Sequence, residues 1–89
     1  MYAQVIEASV ESHRLQGLER LVRSVLFPAL REEPGFCGAM SLVDRDRAAT
    51  LLVLLWETEG DSARLPACVA ALPGVRVSPP AVWEVNARG

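Results

Sequence analysis

The segment that most limits what this chain can become is Leu51-Leu52-Val53-Leu54-Leu55-Trp56. An unbroken apolar run of this length, with β-branched and aromatic members, reads as a strand. It is apolar on both parities. Leu51, Val53 and Leu55 would face one side of a sheet, and Leu52, Leu54 and Trp56 the other. An antiparallel strand with one face in water alternates apolar and polar residues instead. Val5-Ile6 and Leu42-Val43 repeat the two-sidedness in neighbouring segments. The sheet these segments build must therefore be covered on both faces. The run is also far short of the roughly 18 residues that cross a bilayer.

The 89 residues amount to one domain, 1–89, with a single thin core. Tyr2 to Val10 reads as a first strand, and Ser12 as a candidate helix N-cap. From Leu15 the period becomes helical. Leu15, Leu18, Val22, Val25, Leu26 and Ala29 form one stripe, with Gln16, Arg20, Arg23 and Arg31 opposite. Pro28 removes the backbone bond to Ser24, which predicts a kink or a restarted turn. Phe27 falls off the stripe, so a kink must swing it inward or something outside the helix must cover it.

The helix must stop before Pro34, and Gly35 supplies the permissive backbone that leaves it. Phe36 to Val43 reads as a second strand, Asp44 to Arg47 as a solvated hairpin tip, and "ATLLVLLWET" as the third strand. Ser62 to Leu72 reads as a short second helix with Pro66 in its first turn. "VRVSPP" is a linker or short edge segment, and "AVWEVN" the last strand. The second helix exits through Pro73-Gly74, echoing Pro34-Gly35. The order is β-α-β twice over. It predicts an α+β, ferredoxin-like βαββαβ fold. Right-handed crossovers place both helices on one face of a four-stranded antiparallel sheet. The other face then needs cover from outside the chain, and a second identical subunit is the economical choice. A homodimer through the sheet face is expected.

Composition removes several function classes. The net charge is −2 and all nine basic residues are Arg, which argues against a nucleic-acid partner. Cys37 and Cys68 stand apart, without a CxxC or a histidine cluster, so no metal site is expected. Two reduced thiols fit a cytoplasmic protein. Gln4 and Glu7 interrupt the first apolar segment, which rules out reading it as a signal peptide. No glycine-rich phosphate loop occurs, and the single histidine, His13, cannot build a Ser/His/Asp arrangement.

Pro34-Gly35-Phe36 after the first helix, Asp44 at the hairpin, Trp56-Glu57 ending the third strand and Val82 to Val85 as the last strand form an ordered pattern. It resembles the antibiotic-biosynthesis-monooxygenase-like family of dimeric α/β barrels over nearly the whole chain. The resemblance implies a homodimer whose two sheets form a barrel, with a pocket between sheet and helices in each subunit. Some members oxidise polyaromatic compounds with dioxygen and neither metal nor flavin; a related branch binds and degrades haem. The chain departs from both. Leu52 and Val53 occupy the neighbourhood where catalytic members carry an asparagine. No histidine follows His13, and Gln4 and Glu7 stand on the strand where the haem-degrading branch has an asparagine.

What the resemblance implies for the site centres on Trp56, whose indole would line the pocket and donate to a bound aromatic. The alternative is a packing aromatic that closes the end of the sheet. A cofactor-independent oxygenase must deprotonate a phenolic or keto substrate and hold its anion in an apolar cavity. Gln4 and Glu7 are the candidates to meet the substrate oxygens. They lie on opposite parities of the first strand. If Glu7 faced the pocket, desolvation would raise its pKa and make it a base; otherwise it is an edge or interface carboxylate. Two functions stay open. One is a small cofactor-independent monooxygenase acting on or binding an aromatic or quinone-type metabolite. The other is a non-catalytic homodimeric protein that binds a small apolar ligand or serves as an accessory subunit.

Overall fold

Strand register decides which side chains meet. The computed structural model describes residues 1–89. In it β1 (Tyr2–Ser9) runs antiparallel to β3 (Ala49–Trp56), with Tyr2 opposite Trp56, Gln4 opposite Leu54 and Ile6 opposite Leu52. The far side of β3 pairs with β2 (Phe36–Asp44). The order is β2-β3-β1, and the fourth position is filled twice. A short β4 (Arg76–Val77) pairs with Ala8 and Ser9, and β5 (Ala81–Glu84) pairs with Tyr2 to Val5. Pro79-Pro80 divides them because proline offers no ladder N–H. Ser78 bridges the gap: its N–H donates to the Glu7 carbonyl at 2.8 Å, and its Oγ accepts the Glu7 N–H at 2.8 Å. The α+β ferredoxin-like arrangement expected from the sequence is present, and "VRVSPP" supplies an edge strand.

The first crossover is helical from Leu15 to Leu30, but not uniformly α. After a 3₁₀ turn at Ser12–Arg14 come α1 (Leu15–Leu21), a π turn over Val22–Leu26 and α2 (Phe27–Leu30). Glu11 rather than Ser12 occupies the cap position, and no side chain caps it. The π turn explains the stripe. Leu18, Val22, Leu26 and Leu30 are all buried, four residues apart. Steps of four overshoot a full turn of an α-helix by about 40° each, so such a row would drift off the sheet. A wider turn takes up the surplus and keeps the row facing down. Val25, expected on the stripe, is thereby turned to solvent. Phe27 swings inward and packs against the core. Pro28 then sits in the first turn of α2, just past the π turn, where the helical hydrogen-bond pattern is already interrupted.

The second crossover differs from the single helix expected over Ser62 to Leu72. It consists of two separate turns, α3 (Glu59–Ser62) and α4 (Ala67–Ala70). Pro66 is extended at ψ 140° and forms the N-cap of α4; it also biases Leu65 away from helical angles, so α3 does not run on into α4. Thr58 starts α3 by accepting the Asp61 N–H through Oγ1 at 3.2 Å.

Both crossovers cover one sheet face. Ile6, Ala8, Leu52, Leu54 and Trp56 pack there against Leu18, Val22, Leu26, Leu30 and Val69. Each fully buried Leu or Ile contributes about 1.5–3 kcal/mol relative to exposure. The opposite face carries Met40, Leu42, Leu51 and Trp83, which are exposed, beside half-buried Val5, Val53 and Leu55. Trp83 stands 65% exposed. No helix of the chain is long and apolar enough to cross a membrane.

Candidate functional site

Trp56 ends β3 on the helix-covered face, and its position follows from the register that sets it opposite Tyr2 and Phe36. Cys37 is the extra residue of a bulge between Phe36 and Gly38, and the bulge keeps Phe36 on the same face as Trp56. The two rings meet edge to face, with centroids 5.5 Å apart and planes at 73°. The Trp56 indole Nε1–H donates to Gln4 Oε1 at 3.1 Å, and Gln4 Nε2 donates to the Arg64 carbonyl at 2.8 Å. Gln4 is completely buried, and its carbonyl and amide ends are both satisfied. One glutamine therefore links β1, the end of β3 and the loop between α3 and α4.

Beside this linkage lies a hollow of about 310 Å³, open on one side. Trp56, 3% exposed, touches it from the end of β3; Glu33, Asp61 and Arg64 bring charge to it, and Leu65 and Pro66 an apolar wall. Asp61 is held from two directions. Thr58 Oγ1 donates to its Oδ2 at 2.8 Å, and its carboxylate lies against Gly35. Gly35 has φ +78°, and a Cβ there would fall 3.1 Å from Asp61 Cγ. The Gly35 carbonyl accepts the Glu57 N–H at 2.9 Å, which ties the Pro-Gly turn to the end of β3. Half-buried Cys68 stands near this hollow. Burial pushes its thiol pKa up, and the Glu33 charge adds to the shift.

The structure brings together two of the three residues singled out in the sequence. Trp56 and Gln4 are in contact. Glu7 is on the other face, exposed, opposite Leu51 in register. The condition under which it would become a desolvated base in the same pocket is not met. A smaller hollow of about 240 Å³ on the open face contains Glu7 with Leu42, Leu51 and Arg47. Sequence reasoning missed Glu33, Asp61 and Arg64. Thr58-x-x-Asp61 is a capping pattern that could have placed Asp61; nothing local marks Arg64. No group of three His, Cys, Asp or Glu side chains could hold a metal ion.

Solved structures with this arrangement are monooxygenases by name. A "putative antibiotic biosynthesis monooxygenase" from Deinococcus radiodurans matches with TM-score 0.66 at 17% identity, over 99% of this chain and 95% of that one. By fold, the chain is antibiotic-biosynthesis-monooxygenase-like. A Streptomyces coelicolor monooxygenase, solved in complex with nanaomycin D, matches with TM-score 0.61 at 25% identity over 99% and 88% of the two chains. A "putative antibiotic biosynthesis monooxygenase" from Nitrosomonas europaea matches with TM-score 0.67 at 20% identity over 98% and 100%. No protein-family model matches the sequence, and no curated protein does either. The antibiotic-biosynthesis-monooxygenase-like fold accounts for the strand order and for the helical crossovers lying on one face of the sheet.

Proposed function

We propose that the protein is a small cofactor-independent monooxygenase acting on an aromatic or quinone-type metabolite, and that it works as a homodimer joined through its open sheet face. The observation that carries this reading is the charged and apolar hollow at the Trp56 end of β3. It combines the small part of Trp56 that reaches it with an apolar wall and one guanidinium near two carboxylates. A phenol oxidised to a quinone consumes one dioxygen, places one oxygen atom on the ring and releases the other as water. The substrate supplies all the electrons, so the protein need only take the phenolic proton and hold the anion. Glu33 or Asp61 would accept the proton, and Arg64 would face the phenolate. Trp56 would orient the ring by contact, because its N–H is already engaged by Gln4. The S. coelicolor monooxygenase in complex with nanaomycin D supports this ligand class.

The second reading, a non-catalytic homodimeric ligand-binding or accessory protein, is favoured by a specific observation. Gln4 has no free hydrogen-bonding end on the hollow side, and Glu7 is on the other face. Native mass spectrometry of freshly purified protein, followed by oxygen uptake with polycyclic phenols, separates the two. Uptake matched by quinone formation, and lost in Arg64→Gln, is the result expected of the enzyme. A retained ligand without uptake leaves the binding reading and defeats the catalytic one. A monomeric mass defeats the dimer.

A further inference from the structure

At the other end of β1 from the Tyr2–Trp56 pair, Ser9 and Glu11 meet Gly74 and Arg76 around a second hollow of about 370 Å³, with Arg14 on its wall. The lining is polar, and its two guanidiniums come from distant parts of the sequence. Arg76 begins β4 opposite Ser9. Arg14 ends the 3₁₀ turn that precedes α1.

Neither arginine is neutralised by a neighbour. The ion pairs of the chain join Arg45 to Glu19, Arg47 to Asp44 and His13 to Glu11. The last pair matters here, because Glu11 is the one carboxylate on the hollow. Its Oε2 stands 3.6 Å from His13 Nδ1, and no ion pair joins it to either arginine. The side-chain N–H groups of Arg14 and Arg76 donate to no acceptor in the protein.

Arg14 is exposed and reaches across to the Pro73-Gly74 turn. Its guanidinium lies against Gly74, where a Cβ would come 2.8 Å from Arg14 Cζ and closer still to its nitrogens. Gly74 has φ +68°, a conformation glycine adopts without steric cost. The Pro73-Gly74 turn therefore does more than end the second crossover; it leaves the space that Arg14 fills.

We propose that Arg14 and Arg76 form a binding site for a small oxyanion-bearing molecule, a phosphate or carboxylate, separate from the hollow at Trp56. Planar guanidiniums offer paired N–H donors that match such oxygens. The overall charge of −2 gives no general attraction for anions, so binding depends on this local pair. The hollow has room for a phosphate or a small organic acid, and because both arginines are exposed, salt screens their attraction for it.

The test is a heteronuclear NMR titration of the full chain with inorganic phosphate, and separately with citrate, at ionic strength held constant with chloride. Saturable shifts at Val10, Glu11, Gly74 and the Arg14 and Arg76 Nε–H groups are expected. The phosphate and citrate arms distinguish which oxyanion is preferred. Arg14→Gln and Arg76→Gln should each weaken binding about tenfold or more, while Arg20→Gln leaves it unchanged. Gly74→Ala retains both charges but displaces Arg14, so it should weaken binding too. Shifts that fail to saturate, that spread over all the arginines, or that persist in the Arg14→Gln/Arg76→Gln double variant would overturn the site. If Gly74→Ala does not fold, the two arginine variants still decide.

Discussion

The Trp56 indole N–H and the Gln4 side-chain carbonyl are hydrogen-bonded at 3.1 Å inside the core. Gln4 has no exposed surface and Trp56 is 3% exposed, so neither group can fall back on water. Removing one partner strands the other. Gln4→Met should cost about 1–3 kcal/mol by leaving a buried donor unsatisfied. It also frees the Arg64 carbonyl. Trp56→Phe should cost a similar amount from the other side. The Gln4→Met/Trp56→Phe double variant should lose less than the sum, because the indole donor and the glutamine carbonyl go together and only the Arg64 carbonyl stays free. Urea denaturation of the four proteins measures the coupling.

Gly35→Ala tests the turn beneath Asp61. The substitution meets both a positive φ and the Asp61 carboxylate. A loss of about 1–3 kcal/mol is expected from backbone strain alone. Asp61→Ala in the same background should recover part of the loss, which no account based on backbone strain alone provides. Thermal unfolding by circular dichroism reads both effects.

The open sheet face yields the prediction about assembly. Leu51 stands opposite Glu7 in register, so Leu51→Glu sets a second carboxylate across from the first. If the dimer forms through this face, the variant should sediment as a monomer with its circular dichroism spectrum unchanged. A wild-type chain that is monomeric at micromolar concentration removes the basis for the proposal. A dimer that survives Leu51→Glu places the interface elsewhere.

The two thiols should differ in reactivity. Cys37 is exposed, whereas burial and then the Glu33 charge raise the Cys68 pKa above its ordinary value. At a fixed pH below that pKa, a raised value means less thiolate and slower alkylation. Mass-resolved iodoacetamide labelling at mildly alkaline pH should modify Cys37 first. Glu33→Gln removes the second cause and should speed Cys68 without speeding Cys37. Equal rates in the wild type would contradict the arrangement around Glu33.

Much of this architecture is legible in the residue pattern because it depends on local rules. The alternation in β1, the two-sided apolar run of β3 and the Pro-Gly exits each follow from steric or burial constraints on a few neighbours. The second crossover was less legible. A helix over Ser62 to Leu72 satisfies composition, but Pro66 at the cap position and the Thr58–Asp61 pairing divide it into two turns. Val25 falls on the apolar stripe only if every turn has the same width, and the π turn changes the angle between residues on either side of it. For the site, Trp56 could be singled out through the family resemblance, and Gln4 as a polar residue inside an apolar strand. Arg64 could not, because its contribution depends on how a loop folds back over a strand more than fifty residues from Gln4 in sequence. Glu7 shows the limit of parity reasoning. Parity says that it opposes Gln4, but not which of the two faces the helices cover.

The wide turn at Val22–Leu26 has a consequence for the length of the chain. A π turn is equivalent to an α-helix carrying one inserted residue. Removing a single residue among Arg23, Ser24 and Val25 would bring the buried positions Leu15, Leu18, Val22, Leu26 and Leu30 to alternating steps of three and four, the rhythm of an ordinary amphipathic helix. The first crossover thus holds one residue of slack. It is a place where the chain could shorten by one while every core contact of the helix kept its partner on the sheet.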